Sequence, residues 1–193
     1  MGGIDKDNIT ETVLEILNSS DLPKDCSIDV VMGFHAPWLE QVKNRAKKMK
    51  YTTKVLVNIA DMARRMVEAD LSVGAAGGTS WERSTLGLPS FLMVLAENQR
   101  TNADNLKQFG AARDFSAITF SLFLKDNHRL NLQHMSVVAS ALCQGNGARR
   151  VAETLLIGEE DNQVSLIPAT LSDCDYIYSL QIQPEVRFFF RNI

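Results

Sequence analysis

The chain has 193 residues and a formal net charge of −3, with 45% hydrophobic and 22% charged residues, as in an ordinary globular domain. The small negative charge excludes the basic character that binding to nucleic acid or to anionic membranes requires, so neither is an expected partner. No apolar run approaches the roughly 18 residues of a membrane span and the chain opens without a secretion leader, so we expect a cytoplasmic protein.

Cysteine and histidine are too sparse and too scattered to indicate a metal or redox site. Cys26, Cys143 and Cys174 lack the spacing of metal ligands, and reduced thiols are expected. His128 and His134 do not form the i, i+4 pair of a helical zinc site. We therefore predict no metal and no cofactor.

The chain opens on Gly2 and Gly3, which precede Asp5 without a strand ahead of them. An α/β unit normally feeds such a glycine pair from a strand, so this opening is typical of an excised fragment or a split gene. Apolar residues at helical spacing then predict a helix from Asn8 to about Asn18.

Strands and helices alternate from there. Strands rich in β-branched residues are predicted at Ser27–Gly33 and Thr52–Val57, with an amphipathic helix at Pro37–Met49 between them. His35, in the loop after the first strand, is interpreted as a surface residue rather than a catalytic acid or base. The segment after the second strand leads into a helix that runs through Glu68.

The rest of the chain is organised around residues 71–99, which predict a strand, a glycine loop, a short helix and a second strand. The loop reads GAAGG, and Thr79 and Ser80 are expected to cap the helix that follows. A Gly-Leu-Pro turn at 87–89 ends this helix, and the second strand is predicted at Ser90–Leu95.

The glycine loop indicates a possible anion site. Glycine lets a backbone approach a ligand closely, and a helix N-terminus offers N–H groups with a partial positive charge, so Gly77 and Gly78 suit a phosphate. The carboxylate of Glu82 suits two sugar hydroxyls instead, and a nucleoside diphosphate supplies both groups. Spacing alone leaves an alternative open, in which the glycines form a tight turn and Glu82 interacts with the helix dipole.

The strand and helix order defines the fold class. Four strands alternating with helices before residue 96 imply an α/β fold with a parallel sheet and helices on both faces. Further helices are predicted at 129–144 and 148–156, with a short strand at 111–115. This domain is expected to cover residues 1–157.

Three motifs, GAAGGTSWER, LGLPS and LAENQ, resemble the C-terminal, nucleotide-binding domain of the UDP-sugar hydrolases of pseudaminic acid biosynthesis. These enzymes are relatives of the bacterial peptidoglycan N-acetylglucosaminyltransferase, with the two-domain glycosyltransferase-B fold. The resemblance implies a Rossmann-like C-terminal half that holds UDP, while a separate N-terminal domain supplies a catalytic histidine. The chain alone would then bind a UDP-sugar without turnover. A glycosyltransferase fragment and a non-catalytic nucleotide-binding module are the alternatives.

The resemblance places the UDP phosphates and ribose on the central stretch. It implies that Gly77, Gly78, Thr79 and Ser80 bind the diphosphate and that Glu82 binds the ribose hydroxyls.

The uracil site is implied to follow the strand at Thr52–Val57. Main-chain groups of Asn58 and Ile59 would meet the base edge, which needs one donor and one acceptor, and Met62 would form an apolar wall. Asp61 is expected to cap the next helix, and both roles are compatible.

The sugar, or its phosphate, is implied to face Asn98 and Gln99, which follow the strand at Ser90–Leu95. Asn98 is open to interpretation as a plain helix N-cap. The backbone near Gly3 is implied to form a second anion contact, and the alternative there is a simple turn at the chain terminus.

The last part of the chain forms a short C-terminal appendage in this prediction. Residues 158–163 are polar and indicate a linker, and 164–193 resemble the start of an N-acetyltransferase of the GNAT superfamily, through Ile167–Thr170 and Pro184–Arg187. This segment stops before the acetyl-CoA loop of that family, so no acetyl transfer is expected. It is too short for a core of its own, and Phe188–Phe190 are expected to mediate self-association into a homo-oligomer.

Overall fold

The structure is a computed structural model that describes residues 5–157 and 187–191. The helices are α1 (Ile9–Ser19), α2 (Leu39–Ala46), α3 (Met62–Val67), α4 (Thr79–Thr85), α5 (Arg100–Gln108), α6 (Ala117–Lys125), α7 (His128–Leu142) and α8 (Gly147–Ile157). The strands are β1 (Ser27–Met32), β2 (Thr52–Val57), β3 (Leu71–Ala75), β4 (Ser90–Met93), β5 (Ala112–Asp114) and β6 (Arg187–Arg191).

The six strands form one sheet in the order β2-β1-β6-β3-β4-β5. β1 pairs with β2 in parallel, as β3 does with β4 and β4 with β5. β6 pairs antiparallel with both β1 and β3, which makes these two strands parallel to each other. The predicted α/β fold with a parallel sheet is therefore confirmed for β1 to β5.

Helices cover both faces of the sheet, because successive strand residues point to opposite sides. Ile28 and Val30 lie in one apolar cluster with α1 and α6, whereas Val31 packs with Met66 of α3 on the opposite face. A third cluster joins Leu92 of β4 to α5 and α7. Strands buried from both sides need apolar residues at nearly every position, which explains the strand signals in the sequence.

The position of β6 differs from the sequence-based expectation. Residues 164–193 were expected to form a short appendage that mediates self-association, and Arg187–Arg191 occupies an inner position of the sheet. Phe188 is in register with Val30 on one side and with Val73 on the other. A continuous apolar run suits a strand with neighbours on both sides, so this segment pairs within its own chain. Self-association through it stays a prediction.

The apolar residues around Phe120, whose period is ambiguous in sequence, belong to α6. Ser116 and Thr119 form a capping box that starts this helix. The rings of Phe120 and Phe123 both meet the Phe91 ring edge-on, with 5.1 Å between ring centroids in each pair. Within residues 5–157 and 187–191, no helix combines the length and the apolar character that crossing a bilayer requires.

Candidate functional site

The loops that follow β1 to β4 leave the sheet at one edge, because these strands are mutually parallel. Residues 58–61 follow β2, residues 76–78 follow β3, and residues 94–99 follow β4. The structure therefore brings the predicted uracil, diphosphate and sugar residues to the same edge of the sheet. The predicted contact at Gly3 lies outside the described residues.

The loop after β3 is anchored at both ends. The Ala76 amide donates to the Met93 carbonyl at 3.0 Å, which ties the ends of β3 and β4 together. The Ser80 amide donates to the Gly77 carbonyl, and the Trp81 amide to the Gly78 carbonyl, each at 3.0 Å. The Ser80 amide is thus engaged within the turn, which moves the candidate phosphate contact to the backbone at Gly77 and Gly78.

The start of α4 differs from the prediction that Thr79 and Ser80 cap it. Gly78 is the N-cap residue and no side chain caps the helix, while Thr79 is the first helical residue. Thr79 and Ser80 are 5% and 1% exposed, and the Ser80 hydroxyl donates to the Gly77 carbonyl. The Ser80 side chain therefore stabilises the turn, and both side chains lie inside the protein, so a ligand at the edge would meet backbone.

Gly78 and Gly74 have different surroundings. A Cβ atom at Gly74 would lie 2.5 Å from Nη1 of Arg83, so this glycine makes room for the guanidinium. A Cβ atom at Gly78 would meet no heavy atom within 4 Å, and the φ angle of −53° is one that any residue adopts. A side chain at 74 would therefore displace the buried guanidinium, whereas the described part of the fold leaves room for one at 78.

Arg83 holds the glycine loop in place, a role that was not predicted from the motif. Its side chain is 1% exposed, and Nη2 donates to the Ala75 carbonyl at 2.8 Å. This hydrogen bond ties α4 to the end of β3 and so fixes the direction of the loop between them. A signal was present in the sequence, since Arg83 follows Ser80 by three positions on the inner face of the helix and Gly74 precedes both.

Glu82 lies on the exposed side of α4, in its first turn. Its neighbour Arg83 is buried, so the helix places Glu82 on its exposed side and the guanidinium in the core. This placement fits the predicted contact with ribose hydroxyls, which approach from outside the protein.

The loop after β2 shows which main-chain groups are engaged. Asn58 is exposed, has a φ angle of +50°, and its amide donates to the Met32 carbonyl at 3.1 Å. A uracil edge would consequently have to use other main-chain groups of this loop. Ile59 and Met62 are half-buried and pack against the cluster that contains Leu88, so part of each side chain serves the core.

Asp61 occupies the N-cap position of α3, but its side chain makes no capping hydrogen bond. Its carboxylate instead lies 3.3 Å from Nε of Arg65, one turn further along. The same guanidinium approaches the buried Asp29 of β1 at 3.5 Å. The predicted capping role is therefore wrong in its chemistry, and the residue belongs to an ion-pair group beneath the loop.

The loop after β4 contains a short 3-10 turn, Glu97–Gln99. Asn98 lies exposed inside this turn, so it is not the N-cap of a helix. The Gln99 side chain accepts a hydrogen bond from the Leu95 amide at 3.0 Å and thereby stabilises the loop. Of the two predicted sugar contacts, Asn98 is the one directed outward, while Gln99 has a structural partner.

Glu97 and Arg100 flank these residues as an exposed bidentate pair, with N–O distances of 3.0 and 3.2 Å. The hydrogen bond from Arg100 lowers the pKa of the Glu97 carboxyl, and the same bond raises the pKa of the guanidinium. The pair keeps both charges at neutral pH and leaves this corner of the edge nearly neutral overall.

Asp5 was also missed as a structural residue. Its buried carboxylate accepts hydrogen bonds from the Ile9 amide at 2.8 Å and the Thr10 amide at 3.1 Å. The Thr10 hydroxyl donates to it as well. These amides begin α1, so a second anion near Gly3 would not bind through them, because a protein carboxylate already does.

The sheet and its loop-lined edge define a Rossmann-like α/β domain, the architecture of the C-terminal half of a glycosyltransferase-B protein. The family model of the Glycosyltransferase family 28 C-terminal domain matches residues 2–154, and the chain belongs to this family. The crystal structure of MurG from Acinetobacter baumannii is similar, with a TM-score of 0.69 and 25% identity, over 81% of this chain and 48% of that one.

A second relative has a higher sequence identity over a shorter stretch. The spore coat polysaccharide biosynthesis protein SpsG of Bacillus subtilis (strain 168) is 31% identical over 114 residues, which cover 59% of this chain and 33% of that protein. The chain thus spans less than half the length of either relative. These similarities support the predicted fold, a domain of the glycosyltransferase-B type.

Proposed function

We propose that this chain is the nucleotide-sugar-binding domain of a UDP-sugar-dependent glycosyltransferase of polysaccharide biosynthesis. The observation that carries the proposal is Gly78, which stands open at the carboxyl edge of the sheet where the fold itself requires no glycine. Family membership supports it, because the match covers the whole of this edge.

Each part of UDP has a chemically suitable neighbour at this edge. The two phosphates would approach the backbone at Gly77 and Gly78, and at Gly78 a Cβ atom would meet no heavy atom within 4 Å. The exposed carboxylate of Glu82, one turn further on, would accept hydrogen bonds from both ribose hydroxyls. The uracil would lie against the loop at 58–61, and Asn98 would meet the sugar or its phosphate.

Two alternatives from the sequence remain to be compared with this proposal. The resemblance to the UDP-sugar hydrolases of pseudaminic acid biosynthesis implies the same grip on UDP with water as the acceptor. The family match, and the similarity to a polysaccharide biosynthesis protein, favour the transferase over the hydrolase. A non-catalytic nucleotide-binding module would share the nucleotide contacts alone.

The donor domain proposed here would need a partner for catalysis. We expect a separate N-terminal domain to supply the acceptor side and the catalytic base, so this chain should bind UDP without converting a UDP-sugar.

Calorimetry on the full chain tests this proposal with UDP, ADP and GDP as matched ligands. We expect saturable binding of UDP and binding of ADP and GDP that is weaker by about tenfold or more. Equal binding of the three nucleotides would contradict a uracil-selective site, and no binding of UDP would overturn the proposal. Release of UDP from UDP-N-acetylglucosamine by this chain alone would contradict the need for a separate catalytic domain.

A further inference from the structure

The inner strand β6 comes from the far end of the described chain. The doubly wound order of α/β sheets, 3-2-1-4-5-6, matches the observed row β2-β1-β6-β3-β4-β5 when β6 takes the position of strand 1. The position that this order gives to the first strand is therefore filled by the last one, and in the opposite direction.

The two flanking strands make this position receptive to a strand. β1 and β3 run parallel to each other, so a strand between them is either parallel to both or antiparallel to both, and either arrangement forms a complete ladder. With no strand between them, both would present unpaired N–H and C=O groups in the middle of the sheet, which is unfavourable.

The flanking side chains indicate which kind of segment fits. Phe188 and Phe190 are in register with four residues that have no exposed surface, namely Val30 and Val73 for the former and Ile28 and Leu71 for the latter. These four belong to the largest apolar cluster of the described residues. Apolar residues are therefore the chemically suitable occupants at these two positions, because polar residues would lose their hydration without gaining partners there, whereas Phe189 is in register with Asp29 and Ser72.

We propose that the position between β1 and β3 is a strand-binding site for an extended apolar segment, and that the chain fills it with its own residues 187–191. The site works by β-augmentation, in which main-chain hydrogen bonds give affinity and the flanking apolar side chains give selectivity. The family match ends at residue 154, so the occupant lies outside the matched domain.

A disulfide trap tests the position and the occupant together. Ser72 and Phe189 are register partners, which places their Cα atoms about 4.5–5.5 Å apart, within disulfide range. The variant pair Ser72→Cys with Phe189→Cys should form an intrachain disulfide on mild oxidation, identified by peptide mass mapping.

The matched control is Ser90→Cys with Phe189→Cys. Ser90 is buried like Ser72 and pairs with it on the side away from β6, so it lies one strand spacing, about 4.8 Å, further from Phe189. This control should not form the disulfide. Equal linkage in both variants, no linkage in either, or a link between isotopically distinct chains would overturn the proposal, and the last result would assign the site to a second copy.

Hydrogen exchange provides a second measurement on single variants of the full chain. Phe189→Pro removes a ladder hydrogen bond, whereas Phe189→Val keeps strand propensity and serves as the control. The exchange rates of peptides that contain β1 and β3 should rise by about tenfold or more in the proline variant, and an excess of a peptide with the sequence of residues 185–193 should restore protection. Identical exchange in the two variants would contradict the proposal.

Discussion

Gly74 and Gly78 lie in the same short stretch and have different reasons to be glycine. Gly74 leaves space for the guanidinium of Arg83, which holds α4 against β3. Gly78 faces open space with a backbone angle that other residues share. Gly74 therefore serves the fold, and Gly78 is available to the proposed ligand.

Gly78→Val should weaken UDP binding by about tenfold or more, because its side chain would occupy the space proposed for the phosphates. Calorimetry measures the affinity, and circular dichroism checks that the fold is kept. The matched control is Gly147→Val, since a Cβ atom there also meets nothing within 4 Å. If both variants bind UDP like the unmodified chain, the phosphate contact at Gly78 is wrong.

Gly74→Ala should lower the free energy of unfolding by about 1–3 kcal/mol, because the new Cβ atom clashes with the buried guanidinium. Denaturant unfolding of this variant and of Gly78→Ala gives the comparison. The latter should change stability by no more than about 0.5 kcal/mol, since it meets open space. Equal losses in the two variants would contradict the different roles given to the two glycines.

Cys26 gives a prediction about alkaline stability. Burial, together with the smaller effects of the nearby Asp25 and Asp70 carboxylates, raises the pKa of its thiol to about 12. The unfolded chain ionises this thiol first, so its contribution to stability is complete below about pH 9 and is lost as pH rises towards 12. Cys26→Ala should therefore show a shallower loss of unfolding free energy over this range. A steeper or identical loss in the variant would contradict the raised pKa.

Among the elements, α1 depends on a carboxylate that precedes it. The N-cap residue Asn8 has a left-handed backbone conformation, and its side chain makes no capping hydrogen bond. The carboxylate of Asp5 supplies the acceptors for the first amides instead. This arrangement fixes the start of the helix.

Asp5→Ala should destabilise the protein by about 0.5–2 kcal/mol, because it leaves the first amides of α1 without their acceptor. Asp7→Ala is the control, since Asp7 is exposed in the same turn. Thermal unfolding of the two variants measures the difference. A similar melting temperature for both would argue against the capping role of Asp5.

The element boundaries could largely be predicted from sequence, because β-branched runs and helical apolar spacing are local signals. The strands at 27–32, 52–57 and 90–93 lie within the predicted ones. The capping details could not be predicted in this way, since Asp5 acts across a turn and Ser80 turns its hydroxyl back to the preceding loop. Such contacts depend on how the chain bends between elements, which spacing does not record.

For the whole molecule, the fold class could be predicted but the sheet order could not. Alternating strands and helices are sufficient to imply a parallel sheet with two helical layers. Residues 187–191 carry no local signal that places them between β1 and β3, because pairing partners so distant in sequence are selected only by the assembled core. The three Phe residues were therefore expected to mediate self-association, and the structure has them within the sheet of their own chain.

The candidate site could also be predicted only in part. Its location at the carboxyl edge follows from the parallel sheet, and the glycine loop was predicted from sequence. Which backbone groups are already engaged by the protein could not be predicted, because Ser80 and Gln99 bond within the bends of their own loops and Asn58 bonds to the end of β1. These bonds narrow the proposed contacts to the backbone at Gly77 and Gly78, with Glu82 and Asn98 beside them.

The most direct test of the central claim is a titration of the isotopically labelled full chain with UDP, followed by backbone amide chemical shifts. We expect the largest shifts at residues 76–82, with smaller ones at 58–61 and 97–99, and saturation at one UDP per chain. Saturable shifts centred elsewhere, such as the surface groove between Met66 and Val137, or the absence of any shift, would contradict a nucleotide site at this edge.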